Sequence, residues 1–253
     1  MLLRRVIQHA RNQEWTAIAI DFVIVVVGVF IGIQAANWNE TRADQARARG
    51  YLERIHYDLK TDVANYQNRI RFWSTVSNYG RTGLAYADTR QLRERTHWDL
   101  LLAYFQASQI FEFWTDRTTY DELKSAGELH LIADVNLRNA LARYYTNAGN
   151  PGLTERPAYR EHIRGVIPID VQLYIWTKCY ASNAAGDQFF RNCAPPINEG
   201  AAADLVNAIG SDRALMAELR YWMSTMWVAS QIGRDSMTLA GQNIAAVEAE
   251  LGK

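Results

Sequence analysis

Proline and glycine are scarce in this chain. Five prolines and fifteen glycines in 253 residues exclude a long flexible linker, and no low-complexity tract or internal repeat takes its place. Excess charge is missing as well. Lys and Arg number 27, as do Asp and Glu, so the basic footprint of nucleic-acid binding is absent and nucleic acid is not an expected partner. Two cysteines are too few for a disulfide scaffold. His9, His56, His97, His130 and His162 show no H-x-x-x-H or other metal-ligand spacing. No P-loop, G-x-S-x-G or other nucleophile pattern is present. The sequence therefore names no catalytic residue, no cofactor and no metal.

What is present begins with one apolar run. Trp15 to Ala36 reads WTAIAIDFVIVVVGVFIGIQAA and stops at Asn37-Trp38-Asn39-Glu40. At ~1.5 Å per residue the run matches the ~30 Å hydrocarbon core of a bilayer. A cleaved signal peptide has an apolar stretch of only ~7–15 residues and a small-x-small cleavage site. Here the run is longer, and the candidate sites place Gln34 or Ile33 where a small residue is needed. The expectation is a retained signal anchor. Basic residues flank both ends, Arg4, Arg5 and Arg11 before and Arg42, Arg47, Arg49 and Arg54 after, so the positive-inside rule does not decide orientation. A short basic N-terminus before an uncleaved run favours that end inside. Cys179 and Cys193 lie close together in a loop-like stretch, and a disulfide there needs an oxidising compartment; two free thiols remain the competing reading, because spacing does not establish geometry. The layout expected is residues 1–14 cytoplasmic, 15–36 transmembrane, and 37–253 a helical extracytoplasmic domain outside the inner membrane.

Downstream, the pattern is helical. Leu52, His56, Leu59, Val63, Tyr66, Ile70 and Trp73 recur at three- and four-residue steps, one stripe of a long helix that can run on from the membrane helix. Gly80, Gly83 and Asp88-Thr89 predict its weakening and end. Thr96 with Asp99 reads as an N-cap, Thr119 with Glu122 as a capping box, Asp134 as a further cap. Gly127 suits a left-handed helix terminus, Gly149 and Pro151 a turn, Pro157 a first helical turn, and Pro168 a break. Residues 181–200 read as irregular. After Ser211 or Asp212, the series Leu215, Leu219, Trp222, Met226, Ala229, Gly233, Met237, Ala240, Ile244, Val247 and Leu251 marks a long helix with a stutter at Ala229–Gly233–Met237. No sustained alternation predicts a strand. The fold class expected is all-α, one N-terminal transmembrane helix followed by an antiparallel helical bundle.

The apolar run ending in Asn37-Trp38-Asn39-Glu40, the following Tyr51-Leu52 and Asp58-Leu59, and the segment TYDELKSAGELHLIADVNLRNALARYY from Thr119 to Tyr145 resemble an uncharacterised family of bacterial single-pass membrane proteins of unknown function. Its members show a similar NWNE-terminated start and a similar T-Y-x-E-L-K-S-x-G centre. The resemblance implies an anchor and a helical outer domain and supplies no active site.

Three groups of residues stand out. Asp21 lies inside the apolar run and shares a helical face with Gly28, Gly32 and Ala36, a spacing that suits close helix–helix contact in lipid. Asp21 also reads as an interfacial carboxylate with the hydrocarbon beginning at Phe22, or as a proton-carrying group. Cys179 and Cys193 form the candidate disulfide. Phe111, Phe113 and Trp114 form an aromatic cluster that reads as core or as a pocket or contact surface. The function expected is a membrane-anchored interaction, scaffold or assembly protein. Its partners would be the lipid bilayer and either further copies of itself, as a homo-oligomer, or another membrane protein. The alternatives are a periplasmic ligand-binding sensor with an aromatic pocket, and an unrecognised enzyme or proton-coupled membrane subunit.

Overall fold

The structure, a computed structural model, describes residues 15–112, 114–147, 156–184 and 186–252, without the side chain of Ala17. The turn expected at Gly149 and Pro151 and the basic residues before Trp15 lie outside the described residues.

Helix α1 spans Trp15–Thr89, 75 residues without a break, and at ~1.5 Å per residue is on the order of 110 Å long. No proline interrupts it, and the apolar run and the stripe after it belong to one rod. From Phe22 to Ala43 every residue is exposed, and burial starts at Leu52. Gly80 and Gly83 do not weaken the helix as expected; they let other elements approach. A Cβ at Gly80 would run into the Met223 side chain, and one at Gly83 would stand 2.5 Å from the Tyr104 ring. The rod ends where Arg90 takes a left-handed φ of 57°.

Helix α2 (His97–Gln106) opens on the expected Thr96–Asp99 capping box. Helix α3 (Thr118–Ser125) starts earlier than expected, with Arg117 at the N-cap and no side-chain cap bond. The Thr119–Glu122 capping box therefore does not form, because Glu122 is drawn to Arg54 instead. Gly127 takes the predicted left-handed conformation, φ 71°, ahead of a single 3-10 turn at Glu128–Leu131. Asp134 caps α4 (Val135–Asn147) through the amides of Asn136 and Leu137. Pro157 precedes α5 (Ala158–Val166) as its N-cap rather than sitting in its first turn. Pro168 ends that run and begins α6 (Ile169–Lys178). The stretch expected to be irregular contains a small antiparallel hairpin, β1 (Tyr180–Ser182) with β2 (Gln188–Phe190), register Tyr180 to Phe190. Strands this short are below what alternation can signal. Helix α7 (Glu199–Ser211) is capped by Asn198, and α8 (Arg213–Leu251) by Asp212. Eight helices and one two-stranded hairpin among the described residues make the fold all-α.

The α1–α8 pair is the spine. The two run antiparallel: Arg220 meets Asp88 at 2.9 Å, Gly233 seats against Ile70 and Trp73, His56 meets Glu248 at 2.7 Å, and Arg49 reaches the Leu251 carbonyl at 3.3 Å. The small residue at the stutter, Gly233, thus takes α1 as its close neighbour. Buried positions on α1 run Ile55, Leu59, Asp62, Tyr66, Trp73, Val76, Gly80 and Gly83, a four-three alternation with Arg69 at the one missing step. This centre is one residue away from the expected stripe, so His56, Val63 and Ile70 lie at its edge.

Two apolar clusters fill the space around the spine. One holds Trp73, Tyr104, Phe105, Ile163, Leu219 and Trp222. The other lies nearer the apolar run and holds Leu52, Ile55, Leu59, Tyr120, Leu123, Leu141, Tyr144, Tyr145, Ala240 and Val247. Cys179 and Cys193 are bonded, Cα atoms 5.2 Å apart, and close the base of the hairpin, where the Arg191 amide also donates to the Cys179 carbonyl.

Candidate functional site

A polar seam that ends on two buried carboxylates, Asp58 and Asp62, lies past the projecting segment. Successive turns of α1 present Arg47, Tyr51, Arg54, Asp58 and Asp62, three or four residues apart and so on one side. All five meet the stretch from Asp116 to Glu128. Arg47 and Tyr51 donate to Glu128 at 2.9 and 2.8 Å. Arg54 forks onto both oxygens of Glu122 at 2.7 and 3.1 Å. Asp62 Oδ1 accepts from the Asp116 amide at 2.9 Å, and its Oδ2 accepts from the Tyr144 hydroxyl at 2.7 Å. The Tyr120 and Tyr145 rings stack behind them, centroids 4.5 Å apart. The TYDELKSAGELHL motif is thus the part that docks on the base of the rod.

Asp58 and Asp62 are both buried. Desolvation raises each carboxyl above its ordinary value, to about 6 for Asp62, with the Asp116 amide and Tyr144 hydroxyl pulling the other way. For Asp58 the hydroxyl and amide of Thr119 oppose the rise. Among the described residues Asp58 Oδ2, Tyr145 Oη and Asn243 Oδ1 have no hydrogen-bond partner. Burial and the neighbouring carboxylate push the Tyr144 hydroxyl far up, so it stays a proton donor. Through the Asp116 amide, Thr119 and the Tyr144 hydroxyl the pair ties α1 to the start of α3 and to α4, a buried polar lock. Sequence reasoning missed it. The available signal was Asp62 falling on a four-three step between Leu59 and Tyr66, where an aliphatic side chain belongs.

The residues expected to matter are dispersed. Asp21, Gly28, Gly32 and Ala36 sit on the projecting part of α1, with nothing within 4 Å of a Cβ built at Gly28 or Gly32. That segment is the one helix among the described residues long and apolar enough to cross a membrane. Trp15 and Trp38 bracket it, 74% and 61% exposed, with the Arg42 guanidinium 4.5 Å above the Trp38 ring. Phe111 packs edge-on against Phe72 at 5.0 Å and lies beneath Arg69. Trp114 points to solvent at 67% exposure, and Phe113 lies outside the described residues. Phe111 lines a groove of about 430 Å³ with Phe72, Tyr79, Phe189 and Phe190. The histidines are separate. His56 pairs with Glu248, His97 with Glu199, His162 with Glu218, and His130 with a backbone carbonyl. No group of three or more His, Cys, Asp or Glu that could hold a metal occurs among the described residues.

These features define an all-helical protein built on one continuous rod, whose projecting end is long and apolar enough to span a membrane. Residues 21–151, just over half of the chain, match the model of a family of unknown function, DUF6090. The chain belongs to that family. The match covers the rod from Asp21, the docking motif and α4, and stops before α5 to α8. No curated protein and no solved structure matches.

Proposed function

We propose that this is a single-span membrane protein of the bacterial inner membrane, held by residues 15–36. Residues 1–14 lie on the cytoplasmic side, and residues 37–253 form a periplasmic interaction or assembly module. The observation that carries the reading is the exposure of α1 around its whole circumference from Phe22 to Ala43. An apolar helix bare on every side is stable in lipid and not in water. The flanking tryptophans support it, because indole rings favour the two interfaces of a bilayer. The Cys179–Cys193 bond supports an oxidising compartment for the large domain. Because the rod continues without a break into the spine, contacts made in the membrane are rigidly coupled to the domain. The open Asp21, Gly28, Gly32 and Ala36 face offers a second copy, or another membrane protein, a place to pack. Cross-linking of the membrane-embedded protein tests this: a ladder of dimers or higher species, or a specific cross-linked membrane partner, supports it, and monomer alone contradicts it.

A second reading is favoured by the aromatic groove of Phe72, Tyr79, Phe111, Phe189 and Phe190. There the domain is a periplasmic sensor that binds a small apolar ligand. A thermal-shift screen of aromatic metabolites separates the two, since only a sensor gains stability from a soluble ligand.

A further inference from the structure

A second cleft, of about 430 Å³, is lined by Ile110, Glu112, Arg156, Arg160, Glu161 and Arg164. Arg160 and Arg164 stand four residues apart on one face of α5, and Arg156 lies just before its N-cap Pro157 and lines the same cleft. Arg160 and Arg164 are half-buried. Their bonded partners are neutral. Arg160 donates to the Ser108 carbonyl at 2.6 Å. Arg164 donates to the Ser108 hydroxyl at 3.2 Å and the Gln109 side-chain carbonyl at 3.1 Å. Aromatic rings hold Arg164 in place, Phe105 at 5.0 Å and Trp176 at 5.1 Å. No ion pair to Arg156, Arg160 or Arg164 occurs among the described residues, although Glu112 and Glu161 line the same cleft. Arg156 is exposed at the mouth and makes no hydrogen bond there among the described residues.

Desolvated like charges side by side are costly without a counter-charge. Burial and the neighbouring guanidinium lower Arg160 and push Arg164 down to about 9. Both stay charged at neutral pH, and each guanidinium has five N–H donors, most of them unused here. Planar forks of this kind match phosphoryl and carboxylate oxygens two at a time.

We infer that the Arg156–Arg160–Arg164 cleft is a binding site for a small polyvalent oxyanion carrying phosphoryl or carboxylate groups. Arg164 and Arg160 form its fixed floor, and Arg156 closes over the ligand. Arg69, whose Nε donates to the Glu112 carbonyl at 2.7 Å, marks the level of the cleft along α1. That level is roughly 50 Å beyond Ala36 at ~1.5 Å per residue, so the anion is drawn from solution rather than from the headgroups of the anchoring membrane. The site does not depend on the oligomer or sensor readings above.

The test is calorimetric titration of the full chain in detergent, in low-chloride buffer, with pyrophosphate, citrate and inorganic phosphate. Tryptophan fluorescence is followed in parallel in wild type and Trp176→Phe, because the Trp176 ring, one of eight indoles, lies against Arg164. The expected result is saturable 1:1 binding of pyrophosphate or citrate that weakens with added salt. Arg156→Gln should weaken it about threefold to tenfold, and Arg160→Gln more than tenfold, with unchanged circular dichroism in Arg156→Gln. Preference for pyrophosphate marks a phosphoryl ligand, and preference for citrate a carboxylate. Absence of saturable binding of all three to the folded wild type would overturn the proposal. So would binding that Arg156→Gln and Arg160→Gln leave unchanged.

Discussion

Asp62 offers a quantitative handle on the polar lock. The carboxyl is 0% exposed and its pKa is raised from 3.8 to about 6, chiefly by desolvation, with Asp116 and Asp58 adding to the rise. A folded-state pKa above the unfolded one means that protonation favours folding. The stabilising contribution is complete below about pH 4 and is lost as pH rises through about 6. At ~1.4 kcal/mol per pH unit the loss amounts to roughly 3 kcal/mol. Asp62→Asn removes the titration and keeps an oxygen for the Asp116 amide, while its NH2 group donates to the Tyr144 oxygen and reverses that bond. The variant should match or exceed the wild type near pH 7.5 and be the less stable of the two near pH 4. Asp58, raised in the same direction, leaves a smaller residual slope in the variant. Asp62→Ala strands the Asp116 amide and the Tyr144 hydroxyl in the interior and should cost about 2–4 kcal/mol near pH 4, a deficit that shrinks towards pH 8 as the wild type loses the contribution of its protonated carboxyl. The assay is urea unfolding in detergent, followed by circular dichroism between pH 4 and 8. Parallel curves for wild type and Asp62→Asn would refute the assignment of the slope to this carboxyl.

Three further outcomes follow from the packing. Gly83→Ala drives a methyl into the rigid Tyr104 ring and should lower stability by about 1–3 kcal/mol despite its better helix propensity. Gly80→Ala meets only the flexible Met223 side chain and should come out near neutral, and thermal melts of the pair distinguish them. Replacing Cys179 and Cys193 by serine opens a cross-link across 14 positions and should cost about 3 kcal/mol, seen as a lower melting temperature that added reductant no longer changes. The Arg54–Glu122 fork is half-exposed on both sides, 49% and 48%, so Glu122→Gln should leave the melting temperature nearly unchanged in the same melts.

The long elements were readable in the sequence because their signals are long. The apolar run, the stripe into Trp73 and the series from Leu215 to Leu251 each repeat over many turns, and caps at Thr96, Asp134 and Asp212 formed where their side chains predicted. What escaped detection was short or long-range. The Tyr180–Ser182 hairpin strand has three residues, and α7 presents a brief pattern after a loop. Thr119–Glu122 has the capping-box spacing, but Arg54 on α1 competes for the Glu122 carboxylate, and nothing local reveals a partner so far away in the chain. The same holds for Gly80 and Gly83, which read as helix breakers alone and become contact points only against Met223 and Tyr104. Asp62, Arg160 and Arg164 were legible in hindsight as polar residues at packed positions. Whether such a group is paired, stranded or waiting for a ligand depends on elements that the chain brings together only on folding.

The anchoring role of residues 15–36 is open to a single fractionation. Cells expressing this sequence are lysed, their membranes washed with alkaline carbonate, and the pellet analysed by intact-mass spectrometry. The expected result is a carbonate-resistant species that retains residues 15–36, with a mass near 28.9 kDa, released by detergent alone. A freely soluble product, or a mature chain beginning after Ala36, would contradict it.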